Sequence, residues 1–201
     1  MEGAGWLAAV TGFAFAMAAT PGPNNAMVTA SGANWGFRRT VPHILGISLG
    51  FPFMFLAVAL GAGEALRLLP WLNGVLRWVG AAYLLWLAWR IATAVPATGK
   101  EAHGRPFSFL QAALFQWVNP KAWMIALGGI AAYATGEGSA FLVQAALLTA
   151  IFTAVTLPVV AFWTLAGVGA ARFLRSEAAL RRFNLAMALL LVLSLVPVLW
   201  S

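Results

Sequence analysis

Aspartate and cysteine are absent from this chain, and charge of either sign is scarce. Without cysteine there is no disulfide framework, no thiolate metal site and no thiol relay, so thiol-redox chemistry is excluded. Charged residues make up 8% of the sequence, where a soluble domain carries about 25%. Hydrophobic residues make up 62%, and the mean hydropathy is +0.87. Lipid is therefore the expected solvent, and the expectation is an integral membrane protein in a single domain, 1–201. The glutamates Glu2, Glu64, Glu101, Glu137 and Glu177 all fall at or beyond the ends of apolar runs. No buried carboxylate is thus expected as a metal ligand or a proton carrier. The sequence also lacks a His/Glu metal cluster, a nucleophile elbow and a phosphate-binding loop with its lysine. An enzyme is not expected, nor a cofactor or a bound metal. No Lys or Arg precedes the first apolar run, so a cleaved signal peptide is not expected either.

What is present is a series of apolar runs, each near the ~20 residues that a helix needs to cross ~30 Å of hydrocarbon. Six are read: Trp6 to Val28 or beyond, Val41 to Gly63, Trp71 to Ala92, Phe109 to Tyr133, Ala140 to Gly167, and Leu180 to Trp200. The gap "GEALRLLPWLNG" has room for an interfacial helix, and five spans is the competing count. If six spans alternate, one side collects Arg38, Arg39, Arg90, Lys100, Arg105, Arg172, Arg175, Arg181 and Arg182, and the other Arg67 and Arg77. Cytoplasmic loops carry the positive excess, so both termini are expected outside. The net charge of +7 is read as this topological signal and not as a nucleic-acid site. Trp6, Trp71 and Trp200 at the outer ends, with Trp35, Trp86 and Trp89 at the inner ones, suit an aromatic belt.

Two of these runs interrupt themselves. From Trp6 to Phe37 there is no charge, and one unbroken helix of that length would extend ~48 Å. Near its middle stands "ATPGPNNAM", where Pro21 and Pro23 each remove a backbone donor and Gly22 frees the backbone. Two half-helices meeting at mid-membrane are expected, lining a polar cavity with Asn24 and Asn25. The pattern returns in "FQWVNPKAW", where Asn119, Pro120 and Lys121 sit near the centre of the fourth run. Three spans make up each unit, so the halves enter the membrane from opposite sides. The expected architecture is all-α: six transmembrane helices as two inverted three-helix repeats, about 1–95 and about 106–201. The first and fourth helices are broken, and their breaks meet at a midplane site.

A lysine at the centre of a span costs about 2.5 to 3.5 kcal/mol on insertion scales. Lys121 should therefore face the bundle interior. One account is that carbonyls freed by Pro120 neutralise it. The other is that its ammonium, aided by half-helix N-termini, attracts a substrate carboxylate, while freed carbonyls with Asn24 and Asn119 take the amino group. Gln116 lies one helical turn before Pro120 and can face the same cavity. The candidate substrate-binding set is Pro21, Gly22, Pro23, Asn24, Asn25, Gln116, Asn119, Pro120 and Lys121, and it suits an α-amino acid.

The blocks "TPGPNN", "WGFRRTVPHILGISLGF", "LRWVGAAYLLWLAWR" and "FQWVNPKAW", in this order and spacing, resemble the LysE/RhtB-type amino-acid exporters across nearly the whole chain. That family includes lysine, homoserine/threonine and cysteine/O-acetylserine exporters. The resemblance implies a multi-pass efflux carrier of the bacterial cytoplasmic membrane, driven by the proton gradient, with the two motifs forming its central site. The wording of the second and fourth blocks is closer to the cysteine/O-acetylserine branch, a lean towards small neutral amino acids. The chain departs from many members in having Thr40 and Ala112 where they have glycine. Expected partners are a small amino acid, the lipid bilayer and protons, with no nucleic acid. Glycine-rich faces such as Gly46 to Gly50 serve packing within one chain or in a homodimer. A cation exporter of the same architecture and a non-transporting accessory protein remain alternatives; against the former, hard cations need charged oxygen ligands and Lys121 would repel them.

His43 is read as a satisfied histidine at the cytoplasmic end of the second span, and His103 as a solvent-exposed loop residue. Gln111 and Gln144 are expected to form interhelical hydrogen bonds. Thr149, Thr153 and Thr156 share one face of the fifth span, where packing and a pathway explain them equally.

Overall fold

The computed structural model describes residues 3–94, 105–174 and 176–196. Glu2, Lys100, Glu101, His103, Arg175 and Trp200, and the side chain of Arg67, lie outside the described residues. Among those described, the structure is helical without strands. The helices are α1 (Gly3–Ala19), α2 (Pro23–Trp35), α3 (Phe37–Ala57), α4 (Gly63–Leu68), α5 (Pro70–Ala92), α6 (Phe109–Phe115), α7 (Pro120–Tyr133), α8 (Gly138–Phe173) and α9 (Glu177–Leu193).

Three described stretches are each long and apolar enough to cross a bilayer: Phe37–Ala65, Gly74–Ala92 and Gly138–Phe173. Helices α1 and α2 together make a fourth, bent by 55° at its break. Singly, α6 and α7 fall short of a crossing, since the fourth run breaks as expected, and α9 has 17 residues. The polar gap after the second run does hold a short helix, α4. It is reached from α3 through a wide turn, Val58–Ala62, in which Gly61 takes φ 119°, a conformation that suits glycine. Helix α8 runs beyond the expected Gly167 to Phe173, with Pro158 inside it.

Packing is set by bare backbone. A Cβ on Gly32 would lie 2.2 Å from the Thr164 carbonyl, and one on Gly167 2.0 Å from the Thr29 carbonyl, so α2 and α8 touch along their main chains. Gly46 and Gly50 do the same for α3 against α6, at Phe109 and Ala113. Ala112 is fully buried in that seam, and a Cβ on Gly46 would meet its methyl at 2.7 Å. Thr40 donates to the Gly36 carbonyl and shares a hydrogen bond with Ser31. Gln111 and Gln144, expected to bond between helices, bond locally instead. Gln111 closes a capping box with Ser108, and Gln144 accepts from the Gly136 amide. Gln111 sits where a helix start offers orphan donors, and Gln144 reaches back along α8 to the amide that precedes its N-cap.

The apolar core divides into two clusters. One gathers Val28, Ile44, Ile47, Leu84, Phe115, Val160 and Leu191. The other gathers Val10, Phe51, Met54, Phe55, Ile125, Leu148 and Phe152. Between them lie the two helix breaks.

Candidate functional site

The first break is built by its prolines. Pro23 occupies the first turn of α2, where a missing N–H costs nothing, and Gly22 precedes it in fully extended backbone. The last carbonyls of α1 are left without helical partners. One side chain spans the break: Asn25 Nδ2 donates to the carbonyls of Ala18 at 2.8 Å and Thr20 at 3.0 Å. The second break is built alike. The end of α6 tightens into a 3₁₀ turn, Gln116–Val118. Asn119 then caps α7, its side chain accepting from the Lys121 amide at 3.2 Å, with Pro120 at the first helical position.

The two breaks are joined by two contacts. Lys121 Nζ donates to the Thr20 carbonyl at 2.8 Å. Its stem passes directly over Gly22, where an added Cβ would stand 2.9 Å from the lysine Cδ and 3.0 Å from Nζ. Glycine is needed there for close approach. Asn24 and Gln116 exchange both amide bonds, Asn24 Nδ2 to Gln116 Oε1 at 2.9 Å and Gln116 Nε2 to Asn24 Oδ1 at 3.1 Å. Gln116 also donates to the Ala112 carbonyl.

A cavity of about 480 Å³, its open mouth included, lies at this junction. Its polar wall comes from Gly22, Asn24, Asn25, Asn119 and Lys121, and its apolar wall includes Ile47, Phe51, Ile125 and Phe152. Pro21 and Pro120 shape the breaks without lining the cavity. Gln116 is fully buried and faces Asn24 in place of the open space. Asn119 lines the cavity and is also committed to capping. No acidic side chain lines it among the described residues. The N-termini of α2 and α7, each worth roughly half a positive charge, meet there with the Lys121 ammonium. The arrangement attracts an anion on one side, and on the other offers the carbonyl oxygens that end α1.

Three features go beyond or against what the sequence predicts. Thr156, from the threonine face of α8, lines the cavity, while Thr149 and Thr153 bond back to their own helix. Asn34 and Asn184, 150 positions apart, form a second reciprocal amide pair, buried between α2 and α9. His43, expected to be satisfied near the interface, is 2% exposed with neither ring nitrogen hydrogen-bonded. Helix periodicity carried a signal only for Thr156.

Residues 15–196 match the LysE type translocator family. The chain is 36% identical over 181 residues to the cysteine/O-acetylserine efflux protein of Escherichia coli (strain K12), covering 87% of this chain and 88% of that protein. It is 42% identical over 119 residues to the protein of the same name from Salmonella typhimurium, covering 59% of this chain and 58% of that protein. Against the Salmonella relatives, then, the matched stretch spans less than two thirds of their length. No solved structure matches.

Proposed function

The chain belongs to the LysE type translocator family, and on that premise we propose that it exports small neutral amino acids or close derivatives, of the cysteine/O-acetylserine class, by proton antiport. It is a transporter and not an enzyme. Its setting is the bacterial cytoplasmic membrane, with six spans in two inverted three-helix repeats and both termini outside. The pattern of contacts at the breaks supports this topology. Helix α1 runs antiparallel to α7, Trp6 Nε1 meeting the Tyr133 carbonyl at one end and Thr20 meeting Lys121 at the other.

The observation that carries the reading is the Lys121 ammonium resting on a carbonyl oxygen at the junction of two half-helix N-termini. A zwitterionic amino acid replaces that contact by two. Its ammonium takes the Thr20 carbonyl, and the freed lysine takes its carboxylate. The exchange keeps every charge hydrogen-bonded and gives the lysine a counter-charge, which matters where water is sparse. The apolar wall of Ile47, Phe51 and Phe152 leaves room for a short side chain and offers it no charge. The similarity to efflux proteins named for cysteine and O-acetylserine points to the same substrate size.

The test is efflux of labelled cysteine, O-acetylserine, homoserine, threonine and lysine from proteoliposomes, with and without an imposed pH gradient. Gradient-stimulated efflux of the small neutral members, lost in Lys121→Ala, is the expected result. Normal transport by a correctly inserted Lys121→Ala protein would remove that residue from the site.

A further inference from the structure

A second cavity, of about 850 Å³ with its opening, lies towards the other end of α2. Its lining includes Ser31, Asn34, His43, Arg90, Arg105 and Phe107. His43 packs its ring against Phe107, centroids 5.2 Å apart, and neither of its nitrogens has a hydrogen-bond partner. A buried polar group left unpaired costs about 1 to 3 kcal/mol, and such a group in a folded protein calls for a reason.

The position of His43 supplies one. Ile47 lines the substrate cavity and His43 lines the second cavity, and the two are four residues apart on one face of α3. On α2, likewise, Asn24 and Asn25 line the first cavity and Met27, Ala30 and Ser31 the second. The histidine therefore stands about one helical turn, ~6 Å, from the amino-acid site, on the wall that separates it from the other opening. An antiporter needs one group that accepts and gives up a proton as the substrate comes and goes. Among residue types, histidine is the one whose charge changes near neutral pH without special surroundings. The chain has two histidines and no cysteine.

We propose that His43 is the proton-carrying residue of this exporter, an inference that rests on the antiport reading above. A proton on the ring in this conformation would be a buried charge without a counter-ion. Arg90 of α5 and Arg105 ahead of α6, the charged residues that line the cavity among those described, oppose it further. Helices α2 and α6 carry no charged side chain. Arg39, on α3 itself, lines a separate cleft with Arg105. Arg172 of α8 and Glu177, Arg181 and Arg182 of α9 do not line the cavity. The ring is thus neutral in this conformation, its proton having left to water through this opening as the conformation forms, and it takes one up in the alternative conformation, after the amino acid has left. The proton comes from water on one side and returns to water on the other.

The test uses the His103→Gln protein, in which His43 is the sole histidine, in proteoliposomes with labelled cysteine under reductant. Two rates are measured: counterflow without a gradient, and efflux driven by a pH gradient. The expected result is that His43→Gln lowers the ratio of driven efflux to counterflow to the value the parent shows without a gradient. An undiminished ratio overturns the proposal. A parent with counterflow and no response to the gradient also overturns it, and leaves the exporter reading standing. A parent without counterflow of any small amino acid overturns both. Should His43→Gln fail to fold, the ¹⁵N signal of the sole imidazole of the parent in nanodiscs decides. Titration that shifts on adding cysteine supports the role, and a ring unchanged across about pH 5 to 9 refutes it.

Discussion

Gly22→Ala isolates the contact between the two breaks. Gly22 is extended, at φ −176° and ψ −177°, so alanine fits its backbone without strain. The three atoms nearest the new methyl all belong to the lysine: its Cβ would lie 2.9 Å from Lys121 Cδ, against an ordinary separation of about 3.5 Å or more. The stem must retreat by roughly 0.6 Å, which a flexible side chain does at little cost to the fold. The same stem carries the ammonium to the carboxylate in the proposed complex, so its displacement weakens that contact as well. Hydrogen bonds to charged groups are worth about 1.5 to 3 kcal/mol. A displaced one in a partly open cavity loses about 1 to 1.4 kcal/mol, raising KM for efflux by about five- to tenfold. The assay is the concentration dependence of efflux in proteoliposomes for Gly22→Ala, Lys121→Ala and the double variant. Because the methyl acts through the lysine, Gly22→Ala should add nothing once Lys121 is alanine. An equal effect in both backgrounds, or none in the wild type, would refute the reasoning.

Other outcomes follow from the same geometry. Asn24→Ala and Gln116→Ala should each destabilise the protein, and the double variant should cost less than their sum by about 0.6 to 1.7 kcal/mol, read from unfolding midpoints in detergent. Gly167→Ala places a methyl 2.0 Å from the Thr29 carbonyl and should cost at least about 1 to 3 kcal/mol, whereas Gly12→Ala, inside α1 with open space around it, should cause no loss in the same assay. The natural absence of cysteine makes topology directly measurable. Glu137→Cys should react with an impermeant thiol reagent on intact cells, and Arg105→Cys only after permeabilisation; the opposite pattern would invert the proposed orientation.

Both breaks were legible in the sequence because proline and glycine act locally: Pro21, Pro23 and Pro120 remove donors wherever they stand. Lys121 was legible because a charge far from either interface has to turn inward. The partners of these residues were less so. Gln116 was expected at the cavity from helical phase alone, but Asn24, 92 positions earlier, turns it away. His43 was expected to be satisfied, and whether a ring finds a partner depends on which helices surround it. The Asn34–Asn184 pair had no local signature at all, since neither residue disturbs its own helix. Span counting, too, reads hydropathy without seeing how far α8 continues past its apolar stretch.

Helix α2 is buried along nearly its whole length, polar residues included: Asn25, Thr29, Ser31 and Asn34. It packs chiefly against α8 and α9, whose residues are synthesised more than a hundred positions later. A ribosome that has finished α5 has therefore produced a half-helix whose amides and hydroxyls still await most of their neighbours. Lipid is a poor host for such a segment. The order of synthesis and the order of assembly must differ in this protein, with α2 settling into place only once α8 has arrived. A chain truncated after its first half would present that segment to the membrane's quality control as an unassembled subunit.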